Sequence, residues 1–184
     1  MLKQKIRESQ IALLKRQSPD EKIKRELLIY HFLFNSSLIN EATNIAITVS
    51  MDFEINTQPV IEYCLKQHKK VFIPKTLSNR KMDFVEYQPE YLVQTKFGVL
   101  EPSQGRVIEP KQIDLIFVPG LIFSISDGAR IGFGGGYFDR YLKLTEAKKI
   151  AIVGDNQVVD NANWKSDKFD VNVNHIITDS GILR

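Results

Sequence analysis

The chain is expected to fold as an α/β protein, a mainly parallel, doubly wound (Rossmann-like) sheet flanked by helices, with residues 1–184 as a single domain. Three observations carry this expectation. Short apolar runs rich in β-branched residues recur along the chain. Segments with helical periodicity separate several of them, the pattern of a parallel sheet built from strand–helix–strand units. The 184 residues suffice for one well-buried core and are short for two.

Residues 2–16 read as an amphipathic helix with Leu2, Ile6, Ile11, Leu13 and Leu14 turned inward. Ser18-Pro19-Asp20-Glu21 then supplies an N-cap serine, a proline at the first helical position and a glutamate three residues after the cap. This starts a second helix, whose inner face is marked by Ile23, Leu27, His31 and Phe34 and which stops near Asn35-Ser36-Ser37. Residues 45–49 form the first strand. Asn56-Thr57 ahead of Pro59 begins a third helix that runs to about His68. Residues 70–73, stopped by Pro74, are the second strand. Further strands are predicted at 82–87, 115–118, 150–153 and 173–177. In such sheets ligands bind beyond the carboxyl ends of the strands. The 50–54 and 132–136 loops both follow predicted strands, so they are expected to meet at one crevice.

The densest chemistry lies at 130–140, which reads Arg-Ile-Gly-Phe-Gly-Gly-Gly-Tyr-Phe-Asp-Arg and holds Gly132, Gly134, Gly135 and Gly136, four of the ten glycines in the chain. Glycines this close let the backbone turn through positive φ and bring N–H groups against a ligand. With arginines and an aspartate at its margins, the loop suits a nucleotide phosphate with its metal ion. It has no Gly-Lys-Ser/Thr, and Tyr137 stands where the last glycine of Gly-x-Gly-x-x-Gly is required. On the glycines alone, a plain turn joining strand to helix stays open. Residues 137–149 read as a following helix with Tyr137, Phe138, Tyr141, Leu142 and Leu144 apolar, and its N-terminus would add unpaired N–H groups and the positive dipole end.

Other candidates carry less. Lys3 and Arg7 sit at i and i+4 on the first helix, close to Lys5, Lys15 and Arg16, and spacing alone favours a solvated basic face. Glu54 ends a strand and precedes a helix, where it either accepts from a ligand's donors or decorates a helix start. Asp139 is placed to hold Mg²⁺ beside phosphates or to serve as a first-turn charge. His31, His68 and His175 lack metal-ligand spacing, and no Gly-x-Ser-x-Gly elbow exists. Cys64 is the only cysteine, which forbids an internal disulfide and makes the cytoplasm the expected compartment. A net charge of +3 permits an anionic small molecule, and no basic block with interleaved aromatics points to nucleic acid. No apolar run reaches the length of a membrane span, and Met-Leu-Lys-Gln-Lys-Ile-Arg opens without a signal-peptide core.

Taken together, Leu115-Ile-Phe-Val-Pro-Gly-Leu-Ile-Phe123 and Gly128-Ala-Arg-Ile-Gly-Phe-Gly-Gly-Gly-Tyr-Phe-Asp-Arg140 resemble the central signature of the 5-formyltetrahydrofolate cyclo-ligase family. Lys3-x-x-x-Arg7, Ser50-Met51…Glu54-Ile55-x-Thr57, Phe72-Ile-Pro-Lys75, Phe97-Gly-Val-Leu-Glu-Pro102, Asp170 and Ile176-Ile-Thr178 support it. The resemblance implies an ATP- and Mg²⁺-dependent enzyme, expected to be a monomer, that converts 5-formyltetrahydrofolate to 5,10-methenyltetrahydrofolate with release of ADP and phosphate. It implies Lys3, Arg130 and Tyr137 as catalytic residues. Lys3, Arg7, Arg130, Ile131, Gly132, Phe133, Gly134, Gly135, Gly136, Tyr137 and Phe138 would bind ATP, and Asp139 would bind Mg²⁺. Val49, Met51, Glu54 and Tyr137 would contact the reduced folate. The chain departs from the family pattern in a 124–129 segment one residue longer than usual, with Ser124 for an aspartate. Phe138 stands for a second tyrosine, Phe169 for a histidine and Asn174 for an aspartate. Two other readings remain: a phosphosugar isomerase or CoA-transferase relative that needs no ATP, and a non-catalytic nucleotide or folate sensor.

Overall fold

The computed structural model of the chain describes residues 3–96 and 98–184; Leu2 and Phe97 therefore lie outside the described residues. The chain opens with α1 (Lys3–Lys15), α2 (Pro19–Phe34) and α3 (Ser37–Asn40), then β1 (Asn44–Ala46), α4 (Gln58–Lys66), β2 (Lys70–Thr76) and β3 (Met82–Glu86). Short strands follow: β4 (Leu92–Gln94), β5 (Leu100–Pro102), β6 (Val107–Ile108), β7 (Leu115–Phe117), β8 (Ile122–Ser124) and β9 (Arg130–Ile131). After α5 (Tyr137–Tyr141) come β10 (Lys148–Ile152), β11 (Val158–Val159), β12 (His175–Thr178) and β13 (Gly181–Ile182).

Eight strands form one sheet in the order β13-β12-β10-β7-β1-β2-β3-β6. The five from β12 to β2 are parallel, and antiparallel strands finish both edges. From β1 the chain passes to β2 on one side and later to β7 on the other, so the topological switch point lies between β1 and β7. That is where an open α/β sheet forms its ligand crevice.

The parallel strands are apolar throughout because both faces are covered. Successive residues alternate between two cores. Ile45, Ile47, Val71, Ile73, Leu115, Phe117, Ile150 and Ile177 face α2, α3 and α4. Ala46, Phe72, Ile116, Val118, Ala151 and Ile176 face the other way, toward Tyr141, Leu142, Phe123 and Val173. Each fully buried Ile or Leu contributes roughly 1.5–3 kcal/mol. The start of α2 is as expected: the Ser18 hydroxyl accepts from the Glu21 N–H at 3.2 Å. Cys64 is a buried core residue of α4.

Several expectations are corrected. The buried face of α2 carries Glu26, Ile29, Tyr30 and Leu33, while Ile23 and Leu27 are 53% and 63% exposed and His31 is also exposed. The helix is apolar on more than one side, so periodicity alone chose the wrong stripe. In α1, Leu13 is exposed and Gln10 and Leu14 are buried. Strand β1 stops at Ala46, short of the predicted Val49. Strand β2 runs through Pro74 to Thr76. The Phe72 carbonyl accepts from Ile47 on the β1 side, and Pro74, two residues on, presents its missing N–H to the same side just past the end of β1. No ladder bond is lost there. Finally, α5 is one short turn and ends at Tyr141 rather than near Lys149.

Candidate active site

The glycine loop leaves β9, a strand of a small three-stranded sheet ordered β11-β8-β9, rather than the main sheet. Gly134 and Gly136 have φ of +101° and +69°, a region glycine enters without the strain other residues incur. A Cβ on Gly134 would also press on the Arg7 guanidinium. Phe133, Gly134 and Gly135 are exposed. Among the described residues, their N–H groups make no backbone hydrogen bond, which leaves a run of donors suited to an anion. With α5 only one turn long, its dipole adds little, so an anion here would rest on loop N–H groups and cationic side chains.

Those cations come largely from α1, and the solvated basic face that spacing favours is overturned. Lys3, Arg7, Gln10 and Leu14 share the face turned to the protein. Arg7 Nε donates to the Gly132 carbonyl at 2.8 Å, and Gln10 Nε2 donates to the Asn156 carbonyl at 2.9 Å. Lys3 Nζ bridges Asp170 at 2.6 Å and Asp167 at 3.0 Å. Burial opposes both charges of the Lys3–Asp170 pair, yet their bonds hold Lys3 above and Asp170 below its ordinary range.

Arg130 is only 6% exposed. Its Nη2 donates to Asp139 Oδ1 at 2.8 Å, and that oxygen also accepts from the Val171 N–H at 3.2 Å. Arg130 Nε is buried without a partner. Burial lowers the Arg130 pKa, and the charges of Asp139 and Asp170 work against that. The two residues that the sequence assigns to phosphate and metal thus neutralise each other. The Tyr137 ring lies over Gly135. Ile131 is buried, and the Phe138 ring stands 6.3 Å from Phe84 in the core, which leaves mainly their main chain for a ligand.

A magnesium ion is compatible with this donor set. Asp139 is partly exposed, and no protein donor among the described residues reaches its Oδ2. Among the described residues no three acidic, His or Cys side chains gather to hold a metal by themselves. Such an ion would rest on one carboxylate and on nucleotide phosphates, the usual arrangement for Mg²⁺.

The other half of the site is the 50–57 loop after β1. Ser50 and Thr57 exchange backbone-to-hydroxyl bonds at 3.0 and 3.1 Å, and Thr57 Oγ1 donates to the Thr48 carbonyl. Within this closed loop, Met51 N–H donates to Glu54 Oε2 at 2.8 Å. Burial pushes the Glu54 carboxyl up to about 7, against the pull of the Met51 N–H and the Lys22 charge. Glu54 lines a cleft with Thr48, Ser50 and Thr57 from the segment after β1, Pro119 and Gly120 from the segment after β7, and Gln157 beyond β10. This is the switch-point crevice. Val49 packs against the core, and Met51 faces a neighbouring cleft beside α2.

The two loops do meet. The Phe53 and Phe133 rings lie 6.3 Å apart, with Lys15 Nζ 5.7 Å from the Phe53 ring. The Leu121 N–H donates to the Ile131 carbonyl and ties the end of β7 to β9. Sequence reasoning missed Gln157, whose Nε2 donates to the carbonyls of Gly120 and Leu121, both at 3.3 Å. It also missed Gln10. Lone glutamines carry no sequence signal. It also missed Lys22, Glu26 and Tyr30 of α2, which the i, i+4, i+8 spacing of polar residues could have revealed.

Comparison with known proteins places the whole chain. The profile of the 5-formyltetrahydrofolate cyclo-ligase family matches residues 1–179. The chain is 33% identical to the mouse 5-formyltetrahydrofolate cyclo-ligase, over 71% of this chain and 68% of that protein. It is 32% identical to the Haemophilus influenzae 5-formyltetrahydrofolate cyclo-ligase, over 71% and 75%. The solved Aquifex aeolicus 5,10-methenyltetrahydrofolate synthetase superposes with a TM-score of 0.87 at 25% identity, covering 99% of this chain and 92% of that one. A Mycoplasma pneumoniae 5,10-methenyltetrahydrofolate synthetase, 24% identical with a TM-score of 0.78 over 97% and 99%, shares the fold.

Proposed function

The chain belongs to the 5-formyltetrahydrofolate cyclo-ligase family, and from that premise we propose that it closes 5-formyltetrahydrofolate to 5,10-methenyltetrahydrofolate at the expense of ATP. The observation that carries this reading is the meeting of a glycine loop, flanked by cations, with a carboxylate-bearing loop at the switch point of the sheet. One loop suits phosphates and the other suits the donor edge of a pterin.

Lys3, Arg7, Arg130 and the main chain of 131–138 would hold the ATP phosphates, and Asp139 would hold Mg²⁺. Bound there, the ion would offset the negative charge of the phosphates. Glu54 accepts from the pterin ring donors, with Val49, Met51 and Tyr137 around it. A formamide oxygen is a poor leaving group. Transfer of the γ-phosphoryl to that oxygen, with loss of ADP, creates an iminium-like carbon. The substrate's second nitrogen attacks this carbon, loses its proton, and phosphate departs as the ring closes. No protein nucleophile is needed. Arg130 and Lys3 neutralise charge that develops on the transferring phosphoryl, and Tyr137 holds the folate against it. Residues 1–184 act as one catalytic domain, a monomer working in the cytoplasm. Its single cysteine, buried and unpaired, supports a reducing compartment. Among the described residues no helix is long and apolar enough to cross a membrane.

The test is absorbance of the conjugated methenyl product on mixing the protein with 5-formyltetrahydrofolate, Mg²⁺ and ATP, with ADP measured in parallel. Product and ADP in equal amounts are expected. Binding of both ligands without product would replace the reading by a sensor.

A further inference from the structure

Glu26 is buried, 8% exposed on the inner face of α2 beside Ile29 and Leu33. A buried ion pair gains little stability over apolar side chains of similar size, and its best-attested use is to fix one geometry. What this pair touches is informative. Glu26 Oε1 accepts from the Asn56 N–H at 2.8 Å. Lys22 Nζ stands 3.5 Å from Glu26 and donates to the Asp52 carbonyl at 2.5 Å. Tyr30 OH donates to the Asn56 carbonyl at 2.5 Å. Three residues at i, i+4 and i+8 on one helix therefore grip both ends of the segment 52–56, and Glu54 sits at its centre. Every one of these bonds goes to the backbone of the loop.

Resting on the reading of Glu54 as the folate contact, we propose that Lys22, Glu26 and Tyr30 are positioning residues for the reduced folate. They fix the loop so that the Glu54 carboxylate meets the pterin donors. The charges near Glu54 are few. Lys22 acts on it from α2, Glu26 and Asp52 line the adjoining cleft, and Lys15 of α1 stands 5.7 Å from the neighbouring Phe53 ring. The ends of β7 and β10 contribute Pro119, Gly120, Val153 and Gln157, none of them charged. Of these charges, that of Lys22 draws the Glu54 carboxyl down while burial drives it up. Removing Lys22 therefore moves Glu54 further toward its neutral form, in which one oxygen carries a proton and donates where the carboxylate would accept. Tyr30 is neutral, so its loss loosens the loop without changing the charge.

The experiment is the KM for 5-formyltetrahydrofolate and kcat of the full chain at saturating ATP and Mg²⁺, across the pH range around 7. Wild-type KM should fall as pH rises through the Glu54 titration. Lys22→Met should shift that inflection upward by roughly half a pH unit. At neutral pH this raises KM about twofold with kcat unchanged, and two units above neutrality the difference vanishes. Lys22→Arg should restore the wild-type profile. Tyr30→Phe should raise KM by a similar factor at every pH with the inflection unmoved. Lys22→Gln keeps a donor without the charge and carries the same expectation as Lys22→Met should the latter fold poorly. An unmoved inflection in a folded, charge-free Lys22 variant overturns the proposal. Glu54→Gln separates this failure from the deeper one: an inflection that survives in Glu54→Gln overturns the folate role of Glu54 itself.

Discussion

The proposed nucleotide half and the proposed folate half of this site are held in opposite ways. Around the glycine loop, the groups that would meet phosphate and metal are bound to each other: Lys3 to Asp170, and Arg130 to Asp139. Around the 50–57 loop, the carboxylate that would meet the pterin is left in an open cleft, while hydroxyls and the polar stripe of α2 satisfy the loop's backbone. The first half must exchange one set of charge pairs for another when its ligand arrives. The second is preorganised, and its cost is a carboxyl driven up to about 7 by burial. Charge exchange suits a polyanion that brings its own counter-ion. Preorganisation suits a flat heterocycle recognised by hydrogen bonds.

The sharpest way to break this contrast is at Arg130. Arg130→Ala should cut turnover at least about tenfold, since it removes one preorganised donor to developing charge, and it leaves Asp139 unpaired. Steady-state rates matching wild type would remove Arg130 from the site. Asp139→Asn should also lose about tenfold or more in kcat, and a smaller dependence on Mg²⁺ concentration should accompany it. A Mg²⁺ titration identical to wild type would count against that assignment. On the folate side, Glu54→Ala should raise the folate dissociation constant about tenfold or more, roughly the value of a charged hydrogen bond, with ATP affinity unchanged; calorimetry showing no change in folate binding would end that role.

Glu54 also makes a stability prediction of definite sign. Its folded-state carboxyl lies above the ordinary 4.5, at about 7. Between these values the native state holds a proton that the unfolded chain releases, so stability falls as pH rises through that window. Glu54→Gln should therefore melt higher than wild type above neutral pH and equal to it near pH 4. Equal melting points at both would show that the carboxyl is not held against its charge. The smallest effect is expected at Lys3. Lys3→Ala should weaken ATP binding by a few-fold, because Arg7, Arg130 and loop N–H groups remain. Unaltered ATP affinity would return Lys3 to a purely structural pairing with Asp170.

How much of this was legible in the sequence follows the same division. The glycine loop stands out because four glycines set among arginines combine a pliable backbone with positive charge, and the parallel strands stand out as apolar runs. The length of α5 was not legible: Leu142 and Leu144 continue the apolar pattern, but the chain turns away after Tyr141 to form β10. The inner face of α2 was hidden for a related reason. Ile23 and Leu27 form the more hydrophobic stripe, yet the tertiary fold buries Glu26 and Tyr30, which bond the Asn56 backbone of the 50–57 loop. Lys3 and Arg7 read as a solvated pair because their partners, Asp170 and Gly132, lie far along the chain. Short strands such as β9 and β11 hold too few residues to show a period at all.

The most direct test of the account is kcat/KM against pH, measured separately for each substrate with the other saturating. Lys3 is held above and Asp170 below its ordinary value, so both stay charged around neutrality. The account predicts a flat profile for ATP in that range and a profile for 5-formyltetrahydrofolate that falls as pH drops through about 7. A flat folate profile, or an inflection near 7 for ATP alone, would contradict it.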